Sequence, residues 1–376
     1  MKQRHLLPFL ATGLLLLGSC SGSGQLNTAA PAIPSLREVF KNDFTIGTAL
    51  NATQIQGKDP KAAVLVPQQF NMATPENIMK AEIIHPDWDR YDFDLADKLV
   101  AYGKKNKIGI NAHTLIWHSQ LPRFARQIQD ADSFRLFFKQ HINTVAGRYK
   151  GQVFSWDVVN EALNEDGTMR KSVFLEKLGD GFVTEAFRLA SAASPGTELY
   201  YNDYNNEQPA KRAGCITLLK KIQAAGVRID GVGIQGHWHV GKVPLKEIEE
   251  SILEYSALGL KVMFTELDLE VLPRDFQGAD VGQRMKNSPE MNPYPNGLPD
   301  SVQQQLASDY EALFKLFLKH KDKITRITFW GVDDGQSWLN GWPLPGRTNY
   351  PLLFDRNFQP KPAFYKVIAT KQSPAS

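Results

Sequence analysis

Short apolar runs alternate with longer amphipathic segments along the chain from about residue 36 onward. The short runs are typical of strands buried on both faces, whereas the longer segments carry apolar residues every three or four positions, as helices do. The predicted strands are 44–50, 69–73, 108–115, 153–159, 198–201, 231–235, 262–267 and 327–332. Eight such repeats favour a (β/α)8 barrel over a doubly wound sheet, and a barrel brings all its strand ends to one face.

Capping residues predict where two of the helices begin. Asp132 or Ser133 is expected to begin one helix, which Gly151 closes. Pro209 is expected to begin another, which contains Cys215. Because that segment has a helical pattern, we expect Cys215 to be a small buried apolar residue and not a nucleophile.

The N-terminal residues have the character of a targeting segment. Lys2 and Arg4 precede an apolar run over 6–17 that is too short to span a bilayer as a mature helix. The run ends in Leu17-Gly-Ser-Cys20, which resembles a bacterial lipobox, in which the cysteine becomes the lipidated N-terminus. Lipid chains on Cys20 would hold the protein at the cell envelope, in the periplasm or at the cell surface, without a membrane span. An ordinary secretory signal with a chance cysteine is the alternative.

These features divide the chain into a lipoprotein signal peptide over 1–19, a flexible tether over 20–35 and one barrel domain over 36–370. Loss of the signal peptide lowers the formal net charge from +3 by two, to +1. That charge is too small to attract nucleic acid or anionic lipid. The whole chain is 42% hydrophobic and 22% charged, so it can bury a large core. The sequence carries no signal for an oligomeric state.

Two of the apolar runs end in a glutamate. One continues into Asn160-Glu161, and the other contains Glu266 and is followed by Asp268. Because parallel strands deliver such residues to the same rim, both carboxylates are expected on one face of the barrel. Each glutamate alone is also explained as the cap of the following helix. Two carboxylates delivered separately to one rim are the minimal requirement of a glycosidase.

Hydroxyl-binding side chains and flat aromatic rings recur at nearly all of the predicted strand ends. Amides, Lys, His and carboxylates hydrogen-bond sugar hydroxyls, while Trp rings cover the apolar C–H surface of a pyranose. No glycine-rich phosphate cradle or Walker pattern is present, and no cofactor is expected. The strand-end motifs therefore indicate a carbohydrate site.

Together these motifs resemble glycoside hydrolase family 10, the (β/α)8 endo-β-1,4-xylanases, over about residues 36–365. Their number and their order along the chain make the resemblance specific. The motifs are Glu76-Asn77 with Lys80, His113-Thr-Leu-Ile-Trp-His-Ser-Gln120, Trp156-Asp-Val-Val-Asn-Glu161, Asn202-Asp-Tyr-Asn205, Gln235-Gly-His237, Thr265-Glu-Leu-Asp268, Trp330-Gly with Ser337-Trp338, and Pro351-Leu-Leu-Phe-Asp355 with Pro360-Lys-Pro362.

The resemblance implies a role for each of these residues. Glu161 corresponds to the general acid/base and Glu266 to the nucleophile, and Asp268 is expected to orient His237. Tyr204 resembles an aromatic platform on the leaving-group side. The residues implied to hold the sugar at the cleavage point are Glu76, Asn77, Lys80, His113, Trp117, Asn160, Gln235, His237, Trp330 and Trp338.

The implied reaction is retaining hydrolysis of internal β-1,4 linkages of xylan or xylo-oligosaccharides, by double displacement through a covalent glycosyl-enzyme. It requires the two carboxyl groups to lie roughly 5–5.5 Å apart. The sequence departs from the family at Ala81, where Trp is frequent, and at Asn111-Ala112, where Arg-Gly is usual. The loop over 273–299 also looks long, and it either shapes the cleft or runs over the surface.

Three other functions stay open at this point. His237 and His239, with His113 and His118, are compatible with a zinc-dependent hydrolase, although no catalytic metal is expected if His237 binds sugar. A surface-anchored glycan-binding protein on an inactive barrel is a second possibility, against which the presence of both glutamates argues. A β-1,4-glucanase on the same fold would share the mechanism and differ in specificity.

Overall fold

The computed structural model describes Met1, residues 33–276 and residues 278–371. Apart from Met1, the predicted signal peptide lies outside the described residues, as do Cys20 and nearly all of the tether, so the lipid anchor stays a prediction. Among the residues described, no helix is long and apolar enough to cross a membrane.

The strands of the described residues form a parallel barrel. Their bounds are β1 Thr45–Leu50, β2 Met72–Pro75, β3 Gly109–Trp117, β4 Ser155–Asn160, β5 Glu198–Asp203, β6 Gly231–Ile234, β7 His237–His239, β8 Lys261–Glu270 and β9 Ile324–Phe329. Each strand of the ring pairs with the next, β6 pairs directly with β8, and β9 pairs with β1, which closes the barrel. Eight of these strands form the ring, so the predicted (β/α)8 barrel is confirmed.

Several strand bounds differ from the prediction, and the eighth predicted strand, β9, runs over Ile324–Phe329 and not over 327–332. The second strand begins at Met72 and not at Gln69, because Gln69 ends a helix in which its side chain accepts a hydrogen bond from the Leu36 N–H at 2.9 Å. The strand β7 was not predicted. It has three residues and pairs only with the end of β8, outside the ring, so its length carries no periodic signal.

Helices connect the strands and cover the outside of the barrel. Their bounds are α1 Leu36–Val39, α2 Ala52–Ile55, α3 Pro60–Gln69, α4 Ala81–Ile84, α5 Asp94–Asn106, α6 Arg123–Gln127, α7 Ala131–Arg148, α8 Val173–Leu178, α9 Phe182–Ala193, α10 Pro209–Ala224, α11 Leu245–Ala257, α12 Asp300–Lys319 and α13 Pro362–Ala369. The apolar face of α7 is buried at Phe134, Phe137 and Phe138, and each such side chain contributes about 1.5–3 kcal/mol through burial.

One predicted helix start was right, and the other was too late in the sequence. Pro209 is the first residue of α10, as expected. The helix α7 begins at Ala131, because Asp130 and not Asp132 caps it, accepting a hydrogen bond from the Ser133 N–H at 2.7 Å. Cys215 is fully buried, and burial raises the pKa of its thiol to about 12, which fits the predicted apolar role.

Candidate active site

A cavity opens at the carboxyl ends of the barrel strands. Every predicted catalytic and sugar-binding residue except Tyr204 lines it, and the segment after β3 and the loop after β8 add three more side chains. The lining residues are Glu76, Asn77, Lys80, His113, Trp117, Gln120, Asn160, Glu161, Gln235, His237, Glu266, Ala279, Val281, Trp330 and Trp338. The structure therefore brings the predicted residues together in one site.

Glu161 follows β4 directly and points its carboxyl into this cavity. Its Oε2 accepts a hydrogen bond from Trp117 Nε1 at 2.8 Å, and its Oε1 accepts from Gln235 Nε2 at 3.0 Å and from Asn160 Nδ2 at 3.1 Å. Burial raises the pKa of Glu161 and the nearby Glu266 raises it further, while the hydrogen bonds oppose both effects. The carboxyl group is therefore predisposed to hold a proton.

Glu266 lies in β8 and lines the same cavity. Its Oε1 accepts from Asn202 Nδ2 at 2.8 Å, and its Oε2 accepts from His237 Nε2 at 3.2 Å. Burial opposes ionisation of this carboxyl, but His237, together with His113 and Lys80, outweighs burial and lowers the pKa of Glu266. Two carboxyl groups in one cavity thus have pKa values shifted in opposite directions, which is the pattern of an acid paired with an ionised group.

A second carboxylate, that of Asp268, stabilises the protonated form of His237. Its Nδ1 donates to Asp268 Oδ1 at 2.9 Å, and Trp338 Nε1 donates to the other oxygen of Asp268 at 2.8 Å. Burial opposes the imidazolium, but the carboxylates of Asp268 and Glu266 raise the pKa of His237 to about 10. Asp268 therefore fixes both a charged histidine and a tryptophan ring at the cavity wall.

Asn202, at the end of β5, connects the two carboxyl groups. Its Nδ2 donates to Glu266 Oε1 and to Asn160 Oδ1, and Asn160 in turn donates to Glu161. The amide is oriented by Thr265 Oγ1, which donates to Asn202 Oδ1 at 2.6 Å. A Cβ at Gly233 would lie 2.4 Å from the same oxygen, so only glycine leaves room for it. Asn202 belongs to one of the family motifs, but it was not among the predicted site residues.

Residues 35–370 match the profile of glycosyl hydrolase family 10. The chain belongs to glycosyl hydrolase family 10. It is 43% identical over 360 residues to "Endo-1,4-beta-xylanase A" of Xylanibacter ruminicola, covering 93% of this chain and 97% of that protein. It is 38% identical over 357 residues to "Beta-1,4-xylanase" of Dictyoglomus thermophilum, covering 94% and 96%. A solved GH10 endoxylanase from a sugarcane soil metagenome superposes with a TM-score of 0.86 at 40% identity, covering 89% of this chain and 99% of that one.

Another part of the wall of this family 10 cavity is built around a buried lysine. Lys80 Nζ donates to Asn77 Oδ1 and Gln120 Oε1, both at 3.0 Å, and lies 4.5 Å from the centre of the Trp117 ring. Burial lowers the pKa of Lys80, against the charges of Glu266, Glu76 and Glu161. Gln120 was not among the predicted site residues, although it ends the motif that contains His113 and Trp117.

The departure from the family at Asn111 has a structural consequence. Asn111 Nδ2 donates to Asp157 Oδ2 at 2.9 Å, and the same oxygen lies 2.9 Å from His113 Nδ1. Asn111 also accepts from Ser155 Oγ at 2.6 Å. The residue thus helps to hold the carboxylate that faces His113 at the cavity wall. Ala81, the other departure, is buried at the start of α4.

Tyr204 is the predicted binding residue that the structure does not bring into the cavity. Its side chain is only 4% exposed, and its ring lies under Lys211 Nζ, 3.7 Å from the ring centre. Its hydroxyl accepts from Arg170 Nη2 at 2.8 Å. A Cβ at Gly278 would lie 3.2 Å from the ring, so the loop after β8 packs directly on it. The loop after β8 thus covers the ring in this structure, and the role of Tyr204 as an aromatic platform on the leaving-group side stays a prediction.

The same loop contributes to the cavity itself. Ala279 and Val281 line it, and Asp280 between them forms an ion pair with Arg170 at 3.1 Å. Of the two interpretations left open for the loop over 273–299, the one in which it shapes the cleft is therefore correct for this part of it. No sequence pattern marks Ala279 or Val281, because small apolar residues in a loop carry no signal of their own.

Two of the four histidines considered for a zinc site, His237 and His239, face different partners. Both ring nitrogens of His237 face carboxylates, whereas His239 Nε2 accepts a hydrogen bond from Arg274 at 2.9 Å. In the described part of the chain, no group of three or more His, Cys, Asp or Glu side chains is arranged to hold a metal ion. The contacts of His237 instead position Glu266 and favour its ionised form.

Proposed function

We propose that this family 10 glycosidase is a retaining endo-1,4-β-xylanase that works by double displacement through a covalent glycosyl-enzyme. The observation that carries the proposal is the pair Glu161 and Glu266, which share one buried cavity and have pKa values shifted in opposite directions. The names of the relatives with 43% and 38% identity support xylan as the substrate class. A location at the cell envelope through Cys20 stays part of the proposal.

In the first step, an oxygen of ionised Glu266 attacks the anomeric carbon of a bound xylose unit. The bond from that carbon to the glycosidic oxygen breaks, and the oxygen takes the proton of Glu161 as the leaving group departs. Protonated Glu161 and ionised Glu266 are the states that burial and His237 favour. The step leaves an ester between Glu266 and the sugar.

In the second step, Glu161 changes from an acid to a base. Esterification of Glu266 removes the negative charge that had helped to keep Glu161 protonated, so Glu161 now functions as a base. It takes a proton from water, the water oxygen bonds to the anomeric carbon, and the ester bond breaks. The carboxyl groups return to their starting states, and the configuration at the anomeric carbon is retained.

The preference for xylan over cellulose is assigned to the tryptophan wall. A glucose unit carries a C6 hydroxymethyl group that xylose lacks, and a pocket closed by Trp330 and Trp338 excludes it. Trp338 is held rigidly, because it donates to Asp268 and stacks on Trp342 with ring centres 4.4 Å apart. A wall fixed from two sides cannot move aside for the additional group.

Product analysis tests the proposal. Purified protein that begins after Cys20 is incubated with xylan and with carboxymethylcellulose in parallel, and the products are separated by size. Short xylo-oligosaccharides from xylan alone are expected. Release from the cellulose derivative alone would keep the mechanism and replace the substrate by a β-1,4-glucan. Retained binding to xylan without any release would instead favour a glycan-binding protein.

Replacement of Asp268 by asparagine is expected to move the acid limb of the pH profile of kcat/KM to higher pH. Loss of the carboxylate lowers the pKa of His237, so a smaller fraction of His237 carries charge. The pKa of Glu266 then rises toward its ordinary value. Since activity requires ionised Glu266, the limb follows that rise. The profile is measured on a xylo-oligosaccharide.

The variant Trp338→Phe is the control for the second contact of Asp268. It removes the Trp338 hydrogen bond and leaves the bond from His237 to Asp268 in place. Its acid limb is expected to stay at the wild-type position, even if KM rises. If the acid limb of Asp268→Asn stays in place, or if that of Trp338→Phe shifts equally, Asp268 does not act by keeping His237 protonated.

A further inference from the structure

Arg170, in the segment between β4 and α8, has a guanidinium that connects three loops at the cavity. It is only 14% exposed. Its Nε donates to the backbone carbonyl of Glu161 at 3.0 Å, and its Nη2 donates to the hydroxyl of Tyr204 at 2.8 Å. Its Nη1 pairs with Asp280 at 3.1 Å. One side chain thus joins the segment after β4, the end of β5 and the loop after β8.

The backbone of Glu161 needs such a partner. Its φ is +57°, in the left-handed region that few residues other than glycine adopt. The Glu161 N–H donates to the Asn202 carbonyl at 2.9 Å, and its own carbonyl accepts from Arg170. These two bonds hold the peptide groups on both sides of the Glu161 Cα. The direction of the carboxyl group therefore depends on Arg170.

Arg170 also acts on Glu161 through its charge. Burial is the largest influence on the pKa of Glu161 and raises it, whereas the positive charge of Arg170 lowers it. Asp280 neutralises part of that positive charge from the far side of the guanidinium. Other titratable groups act on Glu161 or Arg170 from the surrounding elements, namely Lys80, His118, Asp203, Tyr204 and Glu266. Lys211 lies over the ring of Tyr204.

We propose that Arg170 is a positioning residue for the acid/base carboxyl of Glu161, and that Asp280 couples the loop after β8 to that carboxyl through Arg170. The proposal rests on the proposed function, because it takes Glu161 as the acid/base. It makes the loop a part of the catalytic arrangement, since Ala279 and Val281 on either side of Asp280 line the cavity. The segment that covers Tyr204 on the leaving-group side is thus also the segment that tunes the acid.

The two single variants are expected to shift the basic limb of the kcat/KM pH profile in opposite directions. Asp280→Asn leaves the charge of Arg170 without compensation, which lowers the pKa of Glu161 and moves the limb to lower pH. Arg170→Gln removes the charge, which raises that pKa and moves the limb to higher pH. Shifts on the order of 0.5 pH unit are expected for charges in this arrangement. A purely structural role would not produce opposite signs.

The positioning role is tested with two substrates that differ in their need for an acid. A β-xylobioside of 2,4-dinitrophenol releases its leaving group without protonation, whereas xylan requires it. Arg170→Gln is expected to lower kcat/KM on xylan roughly 10- to 100-fold, as a misplaced catalytic group does, with a much smaller loss on the dinitrophenyl substrate. Arg170→Lys keeps the charge and loses the forked donors, so its limb should stay in place while its rate on xylan falls.

Glu290→Gln removes an exposed negative charge from the same loop and is the matched control, with an unchanged profile expected. If Arg170→Gln does not fold, Asp280→Asn alone still tests the sign of the shift. Shifts of the same sign, no shift in Asp280→Asn, or equal losses on both substrates would overturn this inference while the wild type remains a xylanase. A wild type inactive on both substrates would overturn the proposed function and this inference with it.

Discussion

Glu266→Gln is expected to lower kcat/KM on xylan by roughly 10⁴–10⁶-fold, the loss seen when a catalytic nucleophile is removed. An amide is a far weaker nucleophile than a carboxylate, and no other carboxylate in the cavity has a lowered pKa. The amide also places an N–H against a donor, Asn202 Nδ2 or His237 Nε2. That mismatch costs about 1–3 kcal/mol of folding free energy, so thermal unfolding is measured together with kcat/KM.

Glu76→Gln is the matched comparison for this variant. Glu76 is a buried glutamate in the same cavity, but burial raises its pKa, with Lys80 opposing. Replacement by an amide therefore changes its charge less, and the expected effect is a higher KM with a far smaller loss of kcat. A Glu266→Gln protein that is folded and within tenfold of the wild-type rate would show that the nucleophile lies elsewhere.

Glu161→Ala is expected to lower the rate on xylan by roughly 10²–10⁴-fold, the usual contribution of general acid catalysis. The dinitrophenyl xylobioside should still react with Glu266, because its leaving group needs no proton. The glycosyl-enzyme then accumulates, since no base activates water. Azide, which needs no base, fills the space left by the side chain and is expected to restore turnover and give a β-glycosyl azide.

Glu161→Gln serves as the steric control, because its amide occupies the space that azide requires, so rescue should be weak. Formation of an α-glycosyl azide from Glu161→Ala would indicate inversion and contradict the double displacement. The configuration is read from the NMR spectrum of the isolated azide. Together with Glu266→Gln, this experiment assigns each carboxyl to its own step.

The strand pattern predicted more of the fold than of the site. Eight buried strands were found because each is bounded by polar turns, and the errors lie where this signal is weak. Gln69 is buried in an apolar stretch but belongs to a helix, and the three residues of β7 are too few to show a period. The helix α7 begins earlier than expected because Asp130 competes successfully with Asp132 as the cap.

Most functional residues that end or follow a strand were predicted, with Asn202 in β5 and Gln120 after β3 as the exceptions. Barrel topology forces such residues to converge, so Glu161, Glu266 and His237 were expected together and were found together. Arg170, Ala279 and Val281 were missed, because they lie in connecting segments whose positions no periodicity fixes. The motif of Tyr204 also does not show that a distant loop covers its ring.

The sequence by itself therefore determined the barrel, the order of its strands and the convergence of two carboxylates on one rim, since these follow from local periodicity and parallel topology. The tertiary structure alone decided which carboxyl holds its proton, because burial and the charge of Glu266 raise the pKa of Glu161, whereas His237, His113 and Lys80 together lower that of Glu266. It also decided that the loop after β8 reaches the acid through Asp280 and Arg170, which are 110 residues apart in the chain. Such effects depend on distance and solvent exclusion in three dimensions.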